Sequence, residues 1–124
     1  EKSLADFFEN RPQFDLVLLG MGDDGHTASL FPYTSALAET SRWAVATEVN
    51  NAIRWRITLT LPVLNTARRV LFLVSGSGKA ARLRDVLQGP LDPQRMPAQL
   101  IQPVSGEILW MVDAAAAELL TPSD

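Results

Sequence analysis

Two short apolar runs, each closed by a glycine loop, constrain this chain more than any other feature. Phe14-Asp15-Leu16-Val17-Leu18-Leu19 ends at Gly20, and Val70-Leu71-Phe72-Leu73-Val74 ends at Ser75-Gly76-Ser77-Gly78. Both are too short for ordinary helices and are bounded by turn residues, so they read as strands buried on both faces, the pattern of a parallel sheet. Parallel strands need long crossovers, usually helical, and the rest of the sequence has to supply them.

The remaining segments fit that demand. Thr27 to Phe31 reads as a helical turn stopped by Pro32, and Trp43 to Val49 and Arg56 to Leu61 carry the β-branched alternation of strands. Pro62 to Ala67 reads as a further helical turn. Lys79 to Leu87 places Ala80, Leu83 and Leu87 at helical spacing, with Ser77 as expected N-cap and Gly89-Pro90 as the stop. Four of the eight prolines fall between Pro90 and Pro103, which predicts an ordered loop with at most a short extended piece at Gln99 to Gln102. Ile108 to Val112 is another strand, and Asp113 is placed to cap an Ala-rich helix from Ala114 to Leu120. The expected fold is therefore α/β: a Rossmann-like, mostly parallel sheet with flanking helices. No internal repeat is present, and 124 residues hold one domain or part of one.

Composition excludes several classes of function. The net charge of −3 argues against a general nucleic-acid binder, and no apolar run approaches the roughly 20 residues of a membrane span. The absence of Cys excludes disulfides, thiolate nucleophiles and Cys-ligated metal, and a cytoplasmic location is the default expectation. The chain opens on Glu1 rather than Met, so a preceding segment is expected.

Ligands of parallel α/β sheets bind at the carboxyl ends of strands, which makes Gly20 to His26 and Ser75 to Lys79 the candidate walls of one site. Gly20, Gly22 and Gly25 fall within six residues, where positive φ or close approach of a ligand would call for them. Gly20-Met21-Gly22-Asp23-Asp24-Gly25 satisfies the G-x-G-x-x-G dinucleotide fingerprint, but the reading fails. Two carboxylates would face the pyrophosphate, Pro32 cuts the receiving helix short, and no second strand ends in an acid about 20 residues on. His26 is the chain's sole imidazole and follows Asp24 by two positions. A carboxylate there would fix its tautomer and suit a general acid or base, although a plain loop histidine bonded to Asp23 or Asp24 fits the spacing as well. One His and two carboxylates lack the further ligands of a metal site, and no G-x-S-x-G elbow is present.

Charge is unevenly distributed. Arg54, Arg56, Arg68, Arg69, Lys79, Arg82 and Arg84 occur without an intervening Asp or Glu, which suggests a phosphate or carboxylate ligand. Four or five of them are expected simply to face solvent. Lys79 stands apart because it opens a helix after a Gly-Ser loop, where an anion is favoured. It is not a Walker A lysine, since Leu73 and Ala80 occupy the positions that motif reserves for Gly and Ser or Thr.

The string Phe14-Asp15-Leu16-Val17-Leu18-Leu19-Gly20-Met21-Gly22-Asp23-Asp24-Gly25-His26-Thr27-Ala28-Ser29-Leu30-Phe31-Pro32 closely resembles the 6-phosphogluconolactonase family. Arg56-Ile57-Thr58-Leu59-Thr60 and Ser75-Gly76-Ser77-Gly78-Lys79-Ala80 resemble its later motifs in the same order, so the likeness runs from Phe14 to about Leu120. Related glucosamine-6-phosphate deaminases share Asp-Gly-His but continue Ile-Ala-Phe-Asn-Glu-Pro, where this chain has Thr27 to Pro32.

The resemblance implies hydrolysis of 6-phospho-D-glucono-1,5-lactone to 6-phosphogluconate, the second step of the oxidative pentose phosphate pathway, without a cofactor. It implies His26 as the base that activates water and then helps protonate the ring oxygen, with Asp24 orienting it. Arg56 and Lys79 would grip the substrate phosphate, and backbone N–H groups of the Gly20 to Gly25 turn would be available to the oxyanion.

Two departures from the family pattern matter. Asn51-Ala52-Ile53-Arg54-Trp55 replaces a Pro-rich approach to the Arg-Ile-Thr strand, and the family's N-terminal half, with its Ser-Gly-Gly phosphate loop and Asp-Glu-Arg segment, is absent from the sequence. The chain thus resembles the C-terminal part of a single lactonase-like α/β domain. Such a piece would leave a strand edge and apolar faces uncovered, favouring self-association or pairing with the missing half, and would hydrolyse the lactone feebly or not at all. Two other functions fit the same residues: a sugar-phosphate isomerase or deaminase, and a non-catalytic sugar-phosphate-binding or assembly module.

Overall fold

The computed structural model describes residues 1–49 and 54–122. Its centre is a three-stranded sheet of β1 (Val17–Leu19), β4 (Arg69–Val74) and β5 (Glu107–Val112), in the order β1-β4-β5. Both pairings are parallel, with Val17 opposite Val70, Leu19 opposite Phe72, Arg69 opposite Glu107 and Val74 opposite Val112. A separate antiparallel hairpin joins β2 (Ala44–Val49) to β3 (Arg54–Leu59), with Ala44 opposite Leu59 and Thr47 opposite Arg56. Helices α1 (Lys2–Phe7), α2 (Leu61–Leu64) and α3 (Ala80–Gln88) complete the regular structure, with 3-10 turns at Ser35–Ala38, Ser77–Lys79 and Pro97–Leu100. No helix among the described residues is long and apolar enough to cross a membrane.

The core lies on one face of the sheet. Val70, Phe72 and Val74 point into it and meet Leu83 and Val86 of α3, together with Leu30, Leu64, Met96 and Ile101. Phe72 is fully buried, and its ring stacks on Trp110 of the neighbouring strand at 3.8 Å between centroids. The alternate residues face outward: Leu18, Leu73, Leu109 and Met111 are 58%, 49%, 55% and 53% exposed. The expectation of strands buried on both faces is therefore corrected. Period-two alternation gives every strand two apolar rows, and α3 with its neighbouring loops covers only one of them.

Several local expectations also change. The strand expected from Phe14 is confined to Val17–Leu19, and β3 begins and ends two residues earlier than its alternation suggested. Thr27 to Phe31 forms no helix: Ala28 takes φ +51°, and Thr27 bridges Leu30 as an isolated antiparallel pair. Ser77 opens a 3-10 turn instead of capping α3, whose cap is Lys79 without a side-chain bond. Gln99 lies in the 3-10 turn Pro97–Leu100, not in an extended piece. Its buried amide explains why: Nε2 donates toward the carbonyls of Val86 and Pro90, while Oε1 accepts from Asp92 N at 2.8 Å, so one side chain satisfies the proline loop from inside. Residues 114–119 form turns without an α-helix, although Asp113 does cap them, accepting from Ala116 N at 2.8 Å. Helix α1 adds to the expected elements, with Lys2 and Asp6 paired across one turn at 2.9 Å.

The two faces of β4 should respond differently to truncation. Phe72→Ala should destabilise the chain by about 3–5 kcal/mol through lost burial and a residual cavity, whereas Leu73→Ala on the open face should cost about 1 kcal/mol or less. Urea unfolding of the two variants measures the difference.

Candidate active site

Because β1, β4 and β5 run parallel, their carboxyl ends emerge on one side, and the segments that follow them meet there. Gly20 to Gly25 leaves β1, Ser75 to Gly78 leaves β4, and Asp113 directly follows β5. The glycine loop is tied internally: Gly22 N donates to His26 O at 2.9 Å, Gly25 N donates to Gly22 O at 3.0 Å, and Thr27 Oγ1 donates to Gly20 O at 2.8 Å. Two amides are thereby used inside the turn, so an oxyanion donor from this segment has to be an N–H other than those of Gly22 and Gly25.

The glycines serve distinct purposes. A Cβ on Gly22 would collide with the His26 ring and the Asp24 carboxylate. Gly25 has φ +85° and lies against Met96, while Gly20 has open space around it. Gly22 is thus the position where glycine lets an imidazole fold back over the chain.

Asp24 and His26 meet as their spacing suggested. One carboxylate oxygen, Oδ1, accepts from His26 N at 3.0 Å and lies 2.5 Å from Nδ1. The ring also packs on Phe31 at 4.4 Å between centroids. Partial burial pushes the Asp24 carboxyl up, but the backbone N–H and the imidazole of His26 together outweigh it and leave the group below the ordinary carboxylate range. An ionised Asp24 takes the proton side of Nδ1, so Nε2 presents its lone pair, the arrangement of an oriented base.

A cavity of about 470 Å³, within the size range of small-molecule sites, opens beside that ring and is lined by Gly20, Met21, Gly22, His26, Ala28 and Lys79 among others. Lys79 reaches back from the start of α3: Nζ donates to Met21 O at 2.8 Å and pairs with Asp23 Oδ1 at 2.9 Å. One turn further, Arg82 Nε donates to Asp23 O at 3.1 Å. The two candidate walls are therefore cross-tied by two cations on one face of the helix. Arg82, one of the seven cations of the basic stretch, holds the glycine loop. Nothing in its spacing distinguished it beyond lying three residues after Lys79.

Arg56 is placed differently. It is exposed on β3 and is not among the residues lining the cavity. It shares a strand face with Thr58, whose Oγ1 accepts from Ser29 N at 3.2 Å, so the hairpin touches the segment after His26 while Arg56 stands one pleat further out. The departure noted at Asn51, Ala52 and Ile53 lies outside the described residues. Gly25, packed against Met96, is not among the lining residues. The structure thus lines the cavity with His26, Lys79, Gly20 and Gly22, sets Asp24 behind the His26 ring as its hydrogen-bond partner, and leaves Arg56 and Gly25 out of the lining. Among the described residues no three His, Asp or Glu side chains gather as a metal-ligand set.

Asp113 does more than cap. Both carboxylate oxygens accept from Gly76 N, at 3.1 and 3.2 Å, and Gly76 itself has φ +94°. The N–H groups of Ala116 and then Gly76 hold this carboxyl below its usual range. The loop before Lys79 is therefore pinned to the end of β5.

Removing the Asp113 carboxylate should release that loop: in Asp113→Ala the Gly76 amide should exchange with solvent markedly faster, read by hydrogen-exchange NMR, while amides of β4 stay protected. The depressed Asp24 pKa fixes a sign for the acid response. Its stabilising contribution is present above the unfolded carboxylate value of about 3.9 and is lost as pH falls through the lower folded value. Asp24→Asn should therefore flatten the acid limb of a stability-versus-pH curve measured by urea unfolding across the acid range.

Comparison with known proteins shows which family the chain belongs to. Residues 1–110 match the family described as glucosamine-6-phosphate isomerases/6-phosphogluconolactonase. A 6-phosphogluconolactonase of Synechocystis sp. is 47% identical over 126 residues, covering 98% of this chain and 51% of the relative. The Homo sapiens 6-phosphogluconolactonase is 46% identical over 113 residues, covering 89% of this chain and 43% of its own length. Among solved structures, the devB protein superposes with a TM-score of 0.88 at 33% identity, over 97% of this chain and 51% of that one. The 6-phosphogluconolactonase of Trypanosoma brucei does so with a TM-score of 0.80 at 30% identity, over 97% and 51%. The chain spans about half the length of the curated relatives it matches. With a glycine loop, an Asp–His pair and a facing lysine on a parallel sheet, it belongs to the glucosamine-6-phosphate isomerase/6-phosphogluconolactonase family.

Proposed function

We propose that this chain carries the water-activating loop of a lactonase that hydrolyses 6-phospho-D-glucono-1,5-lactone to 6-phosphogluconate. The observation that carries the reading is the Asp24–His26 pair at 2.5 Å beside a cavity that Lys79 also lines. In the proposed reaction His26 Nε2 removes a proton from water as its oxygen bonds to the lactone carbonyl carbon. The tetrahedral intermediate then collapses with cleavage of the bond between that carbon and the ring oxygen. The imidazolium returns its proton to the departing oxygen, leaving the open-chain acid. Asp24 holds the tautomer and stabilises the transient imidazolium, and such acid–base assistance is worth about 10²–10⁴ in rate.

Lys79 supplies a charge for the substrate phosphate, and Arg56 is the further cation we assign to that group, approaching from the hairpin. No metal or cofactor takes part in this scheme, and a cytoplasmic setting suits a chain without cysteine.

The open row of Leu18, Leu73, Leu109 and Met111 belongs to the same proposal. An apolar surface running across three parallel strands suits a packed layer, and the relatives have about twice this chain's length. We assign the row to the half of the family fold that this chain does not match, and expect the 124-residue chain alone to hydrolyse the lactone weakly.

In a form that includes that half, His26→Ala should lower kcat by about 10²–10⁴ with little change in affinity for 6-phosphogluconate. Lys79→Ala should instead weaken that affinity. Both are read after subtraction of spontaneous lactone hydrolysis, and an unaltered rate in His26→Ala removes the imidazole from the mechanism. Ammonia release from glucosamine 6-phosphate, offered in parallel, would redirect the assignment to the deaminase branch. Light scattering of the 124-residue chain tests the open face. Association relieved by Leu73→Lys or Leu109→Lys supports the assignment of that face to packing, and a stable monomer counts against it.

A further inference from the structure

The Lys79 ammonium already has a carboxylate partner in this chain. Asp23 Oδ1 lies 2.9 Å from Nζ, and the two side chains differ sharply in setting, with Lys79 29% and Asp23 83% exposed. The lysine is held in place by Met21 O and by the surrounding loops, whereas the carboxylate lies out in solvent. Arg82 Nε grips the Asp23 carbonyl, so the backbone of that residue is anchored while its side chain remains able to rotate. Asp23 is adjacent to Asp24 but takes no part in orienting His26, whose ring is bonded, among the described residues, to Asp24.

From this arrangement we infer that Asp23 is a built-in competitor for the anion-binding cation: its carboxylate occupies Lys79 in the free chain, and an incoming phosphate has to displace it. The inference rests on the proposed role of Lys79 and adds to it a residue that sets affinity by opposing the ligand. The chemistry favours displacement by a phosphate dianion, which brings more charge and more acceptor oxygens than a carboxylate. A neutral sugar offers the ammonium nothing to replace the ion pair, so Asp23 also sharpens discrimination in favour of phosphorylated ligands.

The sign of the effect separates this role from a merely structural one. If Asp23 only braced the loop, its loss would weaken binding. As a competitor, its neutralisation strengthens binding. An exposed or half-exposed ion pair of this kind contributes modestly, so Asp23→Asn should bind inorganic phosphate and 6-phosphogluconate about two- to fivefold more tightly than the unmodified chain.

Isothermal titration calorimetry of the 124-residue chain with each anion provides the test, with circular dichroism to confirm folding. Glu118→Gln, the same charge change at an exposed position outside the cavity lining, should leave both affinities unaltered. Tighter binding in Asp23→Asn alone supports the inference. Equal or weaker binding in Asp23→Asn overturns it, and so does an equal gain in Glu118→Gln, which would trace the effect to overall charge. Lys79→Ala distinguishes the two layers of the reading. Undiminished phosphate binding in that variant overturns the role of Lys79 and the competition with it. Binding lost in Lys79→Ala but unimproved in Asp23→Asn overturns the competitor alone. Absence of phosphate binding in both the unmodified chain and Asp23→Asn overturns both.

Discussion

Parallel pairing of β1, β4 and β5 is the constraint from which the rest of the structure follows. Parallel strands deliver their carboxyl ends to one side, so the loops after Leu19, Val74 and Val112 become neighbours although they are far apart in sequence. The pairing is held by the inward row of β4, where Val70, Phe72 and Val74 are buried against α3 and its surrounding loops. Slipping a strand by one residue would exchange the buried row for the exposed one, so the packing that stabilises the sheet also fixes the register of the site.

On that frame the glycine loop is well tied, and the strain lies in the residues that follow it. Ala28 and Tyr33 both take positive φ, a conformation that costs a residue with a Cβ about 1–2 kcal/mol. Beside Ala28 the chain is tied by Thr27 to the Gly20 carbonyl, Lys79 to Met21 and Asp23, and Arg82 to Asp23, while Tyr33 N donates to the Gln94 carbonyl at 3.0 Å. Strain of this kind persists where neighbouring structure over-determines the backbone, and here it shapes the cavity wall at Ala28 beside the His26 ring. The electrostatics agree, because Asp24 is held ionised by the group it orients.

The sheet's second face carries an apolar row with no cover among the described residues. Its apolar residues are as regular as those of the buried row, with Leu18 opposite Leu71, Leu71 opposite Leu109 and Leu73 opposite Met111, yet Leu18, Leu73, Leu109 and Met111 are exposed and Leu71 is only half-buried. A continuous apolar run in the sequence therefore recorded two faces suited to burial, while only one has its cover among the described residues. This is why strands expected to be buried on both sides alternate instead.

The sequence by itself determined the chemistry-bearing local features. Apolar runs ending in glycine marked β1 and β4, and a two-residue spacing made the Asp24–His26 contact a matter of local geometry, because a tight turn leaves those side chains few other neighbours. Asp113 was likewise legible as a cap. Tertiary structure alone decided what depends on distant segments: the bond from Asp113 to Gly76, the grip of Lys79 and Arg82 on the glycine loop, the place of Arg56 beyond the cavity lining, and which face of the sheet is covered. It also overrode local propensity at Thr27 to Phe31 and at Gln99, where bonds to Gly20 and to the carbonyls of the proline loop outweighed a helical turn and an extended piece. The physical reason is the same in each case. Short-range sterics are written into neighbouring residues, whereas the partner of a buried polar group is chosen by the packing that brings distant chain segments together.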